Sequence, residues 1–196
     1  MNNVYKNTIK SLTFTGLLLA SVLNINIVAA EQQSLAIGPN AGEMAPAITV
    51  KNNQGNVETI ESLSAEKGLI ILFFRSADWC PFCKKHLIEL NNEAQKFKDL
   101  GYGLAGISYD NSEVLTSFTQ EQKISYPLLS DQQAKTMLSY DILNDEYKIG
   151  DRNYGIPYPG VVVIDKAGKI THKYFFHGYK KRVKFTELYS YLTTKM

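Results

Sequence analysis

Hydrophobic and polar positions along the chain fall into a few distinct patterns. Leu69 to Phe74 is an unbroken apolar run, Leu-Ile-Ile-Leu-Phe-Phe, of a length that suits a strand buried on both faces. Leu104–Ser108 and Val161–Ile164 read as two further buried strands. From Pro81 to Leu100 the period changes. Phe82, Leu87, Leu90, Ala94 and Phe97 recur at helical spacing among Lys, Glu, Asn and Gln, and Gly101 supplies a stop. Further helices are predicted from Ser112 through Gln122, over Gln132–Tyr140 and over Val183–Leu192. Ile48–Val50 and Val57–Ile60 are short extended pieces around the turn-forming Asn52–Gly55, and Tyr126–Leu129 is another. Asp165-Lys166-Ala167-Gly168 turns the chain back into a strand over Lys169–Phe176. Asp141–Pro159, rich in Asp, Asn, Gly, Tyr and Pro, reads as a long loop without an assigned role. Strands alternating with helices predict an α/β fold, a central mixed sheet with parallel strands and helices on its faces.

The first thirty residues stand apart. Lys6 and Lys10 are their only charges, a mostly apolar stretch runs from Leu12 to Leu23, and Val28-Ala29-Ala30 supplies small residues before Glu31. That order of charge, apolar segment and small residues is the order of a secretory signal peptide. Asn24 and Asn26 interrupt the run before it reaches the roughly 20 apolar residues of a membrane span. The expectation is cleavage after Ala30, an exported protein, periplasmic or secreted, and one domain over residues 31–196 with no stable membrane insertion.

Composition narrows the partners. The chain has 196 residues, a hydrophobic fraction of 44% and a net charge of +2, which fits one soluble globular domain and gives no reason to propose nucleic acid as a partner. Lys180, Lys181, Arg182 and Lys184 form the one dense basic cluster. It reads as a solvated helix start or an acidic docking site.

The candidate chemistry is Trp79-Cys80-Pro81-Phe82-Cys83, between a buried strand and an amphipathic helix. Cys80 would take the N-cap, with Pro81 at the first helical position, where its missing N–H costs nothing. The free amides of the first turn and the helix dipole favour a thiolate, which should bring the Cys80 pKa below the ordinary value of about 8.5. Cys83, one turn later, can attack a mixed disulfide and resolve it. An inert structural bridge is the bland alternative, but so short a loop constrains the unfolded chain little. A zinc site would need Cys80, Cys83, His172 and His177, whose histidines lie far along the chain. No cofactor is expected.

The segment from Phe74 through Cys83 resembles the active-site segment of thioredoxin-fold proteins. Tyr154 to Ile170, with Ile156-Pro157-Tyr158-Pro159-Gly160 before a buried strand and then Asp165 and Gly168, resembles the C-terminal segment of the exported TlpA- and ResA-like reductases. Ile107-Ser108-Tyr109-Asp110, then Phe118, then Tyr126-Pro127-Leu128-Leu129-Ser130-Asp131, is similar to the AhpC/TSA peroxiredoxin family. Together the resemblance spans Ala41 to Lys173 and implies a thioredoxin-like redoxin domain. It also implies that Pro159, with Pro157 as the fallback, is the family's cis-proline beside the cysteines.

Departures from these families matter. Peroxiredoxins carry a Pro seven residues, and a Thr three residues, before the peroxidatic cysteine, where this chain has Phe73 and Ala77. Their later-strand Arg would fall near Pro159, and none is there. The exported reductases carry a Glu three residues after the second cysteine, where this chain has His86. On the face of Cys83, His86 either takes its proton during resolution or is an exposed helix histidine. Trp79, Tyr158 and Pro159 are the expected substrate-contacting residues. The sequence reading is a thiol–disulfide oxidoreductase acting on protein or small-thiol disulfides, with an unknown redox partner. Its alternatives are a thiol peroxidase with Cys80 peroxidatic and Cys83 resolving, and a non-enzymatic metal-binding protein.

Overall fold

In the computed structural model, which describes residues 36–176 and 178–194, the apolar run becomes the middle of a seven-stranded mixed sheet. The elements in chain order are β1 (Val50–Lys51), β2 (Val57–Glu58), α1 (Ile60–Leu63), β3 (Gly68–Phe73), α2 (Pro81–Asp99), β4 (Tyr102–Ser108) and α3 (Ser112–Gln122). They continue with β5 (Leu128–Ser130), α4 (Lys135–Ser139), β6 (Gly160–Asp165), β7 (Ile170–Phe175) and α5 (Phe185–Thr194). The sheet order is β2-β1-β5-β4-β3-β6-β7. β3 pairs parallel with β4 and antiparallel with β6, and every one of its six residues is buried. The signal-peptide expectation falls outside the described residues, as does His177. Among the described residues no helix is long and apolar enough to cross a membrane.

The alternation of side chains along a strand divides β3 between two cores. Ile70 and Leu72, with Phe74 just beyond, join Leu87, Leu90 and Phe97 of α2, Leu115 and Phe118 of α3, and Phe185 and Leu188 of α5. Leu69, Ile71 and Phe73 join Met137, Tyr140, Ile142 and Phe175 on the other face. Both cysteines belong to the first core, so the redox pair is seated on the packed face of α2.

The helix bounds follow local chemistry. α2 starts at Pro81 and gives way to Gly101, whose φ of +90° suits glycine. α3 is capped by Asn111, whose side chain accepts the Val114 amide at 2.9 Å. Two expectations change. The extended piece over Val57–Ile60 stops at Glu58, because Thr59 and Ser62 form a reciprocal capping box that opens the short helix α1. The helix expected from Gln132 opens only at Lys135. Ala134 takes a left-handed backbone, and the Asp131 carboxylate accepts the Met137 amide at 3.0 Å.

Asp141–Pro159 is more ordered than a free loop. Its ends are laced by Asn144 N–H to the Ile156 carbonyl (2.9 Å), Tyr158 N–H to the Ile142 carbonyl (2.7 Å) and a bridge between Leu143 and Pro157. It therefore delivers Pro159 to the start of β6, where Gly160 pairs with Phe73 at the end of β3.

Candidate active site

The last residues of β3 lead into Arg75-Ser76-Ala77-Asp78-Trp79 and then into the N-terminus of α2. Cys80 is the N-cap, with an extended backbone, and its sulfur accepts the Cys83 amide at 3.3 Å. The cysteines are joined as a disulfide with Cα atoms 5.2 Å apart, and both are buried. A sulfur at this position faces the positive end of a 19-residue helix, so a Cys80 thiolate is stabilised by the same amide and by the helix dipole. Cys83 is the only sulfur one turn away, which makes closure of the ring a local event.

Asp110, just beyond β4, shapes the loop in front of Cys80. Its carboxylate accepts the Ala77 amide at 2.7 Å, the Ser76 hydroxyl at 2.8 Å and the Ser108 hydroxyl at 2.9 Å. Ser76 Oγ in turn accepts the Asp78 amide at 3.0 Å. Burial raises the Asp110 pKa, opposed by those three hydrogen bonds, with the Asp78 charge adding to the rise. Nothing in the local sequence marks Asp110 for this role, because the two partners in the cysteine loop, Ser76 and Ala77, lie more than thirty residues upstream.

Trp79 is 40% exposed beside the disulfide. Its indole N–H donates to the Tyr109 hydroxyl at 2.9 Å, and the Arg75 guanidinium carbon lies 4.8 Å from its ring centroid. Arg75 also faces the Tyr179 ring at 5.0 Å, and Tyr179 meets the Phe82 ring edge-on at 5.4 Å. Phe82 and Tyr179 are about as exposed as Trp79. Three aromatic rings and one cation therefore frame the disulfide. Sequence reasoning found Trp79 and Phe82 but not the parts played by Arg75, Tyr109 and Tyr179, which long-range contacts create.

His86 is not exposed. Its ring is buried, stacks on Phe185 with centroids 4.6 Å apart, and meets the Val183 carbonyl through Nε2 at 2.9 Å. A carbonyl can only accept, so Nε2 carries the proton. Burial pushes the His86 pKa down to about 4; the Val183 hydrogen bond opposes the shift and the Arg182 charge adds to it. At neutral pH the ring is uncharged and anchors the start of α5 to α2. The exposed-histidine expectation fails because α5 covers this face of α2.

Pro159 lines a cavity with Arg75, Tyr147, Tyr158 and Tyr179. Its expected cis bond is corrected: no described peptide bond is cis, so the bonds before Pro157 and Pro159 are both trans. The backbone lacing of the 142–158 loop holds Tyr158, and the chain passes extended into β6. The Tyr158 hydroxyl donates to Asp145 at 2.5 Å, which with burial pushes its pKa up to about 12. The second opening at the site, about 570 Å³, lies against Asp78, Trp79, Tyr109, Asn111 and Arg152.

Among the described residues no three His, Cys, Asp or Glu side chains are grouped to hold a metal ion. His172 turns its Nε2 to the Tyr191 hydroxyl at 2.7 Å.

The model of the AhpC/TSA family matches residues 41–173. The chloroplastic peroxiredoxin Q of Suaeda salsa is 34% identical over 133 residues, which cover 66% of this chain; the match spans 60% of that protein's length. Peroxidoxin BcpB of Mycobacterium tuberculosis superposes with a TM-score of 0.69 at 18% identity, covering 82% of this chain and 99% of that one. A Bacteroides thetaiotaomicron chain put forward as a protein disulfide isomerase gives a TM-score of 0.57 at 26% identity, covering 81% and 92%. The thioredoxin-like fold expected from sequence is the fold observed.

Proposed function

This chain belongs to the AhpC/TSA family, and we propose that it is an exported two-cysteine thiol peroxidase. The Cys80 thiolate attacks the distal oxygen of a peroxide. The O–O bond breaks, the alkoxide or hydroxide leaves with a proton from solvent, and Cys80 becomes a sulfenic acid. Cys83 then attacks the Cys80 sulfur, releasing water and closing the disulfide. Two thiol equivalents from a donor reopen it by exchange.

The observation that carries this reading is the placement of Cys80 as the N-cap of α2, accepting the Cys83 amide, with its resolving partner one turn away. Relatives named as peroxiredoxins support the peroxide half of the cycle. This reading displaces direct disulfide exchange from first place, although both use the same dithiol.

Exchange with protein disulfides stays as the second reading because of specific positions. Ala77 and Phe73 stand where a peroxiredoxin has its Thr and Pro, so the hydroxyl expected to orient the peroxide is missing. Trp79, Phe82 and Tyr179 instead present exposed rings around the sulfur. Mixing the reduced protein with hydrogen peroxide and, separately, with a disulfide-bonded protein substrate separates the two. The peroxidase reading requires peroxide to oxidise the pair much faster than it oxidises free cysteine at the same pH.

A further inference from the structure

Arg75 and Arg182 are two partly buried guanidinium groups whose donors are incompletely satisfied among the described residues. Arg75 Nη2 reaches only the Tyr147 hydroxyl, at 3.4 Å, and its Nε is buried without a hydrogen-bond partner among the described residues. Arg182 donates from Nη1 to the Lys181 carbonyl at 2.9 Å, while its Nη2 is likewise buried and unpartnered. Neither forms an ion pair among the described residues. Burial and the neighbouring Arg75 charge push the Arg182 pKa down to about 10. Charged donors held away from water without acceptors are costly, and a guanidinium presents its donors in a fork that fits a carboxylate.

Arg75 opens onto a cavity of about 260 Å³, whose walls include Glu146, Tyr147, Tyr158, Pro159 and Tyr179. That volume suits a small molecule. The cavity adjoins the redox pair through two contacts already described: Arg75 on the Trp79 ring, next to Cys80, and Tyr179 on the Phe82 ring. Glu146 is the opposing charge in the wall, and it is not paired with Arg75.

We propose that this cavity binds the carboxylate of a small amino-acid-type thiol, which is the electron donor that reopens the Cys80–Cys83 disulfide. Arg75 holds the carboxylate, and Glu146 accepts the ammonium group. The bound thiolate attacks Cys80 Sγ; the Cys80–Cys83 bond breaks and Cys83 leaves as a thiolate that takes a proton. A second thiol attacks the donor's sulfur in the mixed disulfide and releases Cys80. Two donor thiols become one disulfide, and two electrons and two protons pass to the protein. The inference rests on the reading that the pair cycles through a disulfide, but not on what oxidises it.

The test uses the oxidised full chain and the fluorescence of Trp79, its single tryptophan. L-Cysteine, 3-mercaptopropionate, 2-mercaptoethanol and cysteamine serve as reductants at low salt, with rates normalised to thiolate concentration. The expected result is that 3-mercaptopropionate outpaces 2-mercaptoethanol about tenfold and cysteine exceeds 3-mercaptopropionate, with cysteamine slowest. In Arg75→Gln that ratio collapses to within about twofold, and Glu146→Gln removes the advantage of cysteine over 3-mercaptopropionate. Salt added to the unaltered protein lowers the ratio as well, so the test does not depend on a variant folding. Equal normalised rates for the four thiols, or a ratio unchanged in a folded Arg75→Gln protein, overturn the proposal. Peroxide is absent throughout, so a protein inert to peroxide but selective for carboxylate thiols defeats the peroxidase reading alone.

Discussion

The Asp110 carboxylate accepts the backbone amide of Ala77 at 2.7 Å, tying the end of β4 to the loop that delivers Cys80. The bond is buried and is shared with the hydroxyls of Ser76 and Ser108. Asp110→Asn keeps the shape but turns an amide toward groups that need an acceptor. It should cost about 1–3 kcal/mol of stability and slow the reaction of Cys80 with every oxidant. Urea unfolding together with stopped-flow oxidation checks both; an unchanged oxidation rate would remove Asp110 from the positioning of the loop.

His86 should make the protein sensitive to mild acid. Its pKa is about 4 when folded, against an ordinary value of about 6.5 when unfolded. Between those values the unfolded chain binds more protons, so stability is lost as pH falls from about 6.5 toward 4, by up to roughly 3 kcal/mol. Asp131, raised to about 6 by burial despite the amides of Met137, Thr136 and Lys135, acts in the opposite direction over an overlapping window. The difference between the wild type and His86→Gln isolates the histidine. Parallel stability–pH curves for the two proteins would contradict this assignment.

Phe185 is fully buried between the His86 ring and Phe97. Phe185→Ala should cost about 3–5 kcal/mol and, by admitting water to the ring, raise the His86 pKa. Thermal unfolding and a proton NMR titration of the histidine measure the two effects. A large loss of stability with the His86 pKa unmoved would mean that the shift arises elsewhere.

The sheet and the redox pair were readable because their signals are local. Six consecutive apolar residues between turn signals suit a strand buried on both faces, and Cys80-Pro81 ahead of an amphipathic run fits a helix start with proline at its first position. Gly101 and the Asp165–Gly168 turn are equally local, since each depends on its own backbone geometry or side chain. What escaped depends on distant residues. His86 looks solvent-facing until α5, about a hundred residues later, lays Phe185 and the Val183 carbonyl against it. The 141–159 segment looks irregular because its order comes from backbone hydrogen bonds and from side-chain bonds such as Tyr158 to Asp145, which leave no strand or helix period in the sequence. The cis bond expected at Pro159 came from a family resemblance, and the backbone of this chain does not adopt it. Arg75 carries no local signal either: one of the two rings over its guanidinium, Tyr179, comes about a hundred residues later.

In the proposed cycle Cys80 reduces peroxide and Cys83 resolves it. The most direct measurement mixes the reduced wild type, Cys83→Ser and Cys80→Ser with hydrogen peroxide. Tryptophan fluorescence follows the rate, and mass spectrometry with a sulfenic-acid trap follows the product. One equivalent of peroxide should convert the wild type to the intramolecular disulfide, well ahead of free cysteine. Cys83→Ser should stop at a trapped adduct on Cys80, and Cys80→Ser should not react at a comparable rate. A wild-type pair oxidised no faster than free cysteine, yet rapidly oxidised by protein disulfides, would contradict the peroxidase account and leave dithiol–disulfide exchange in its place.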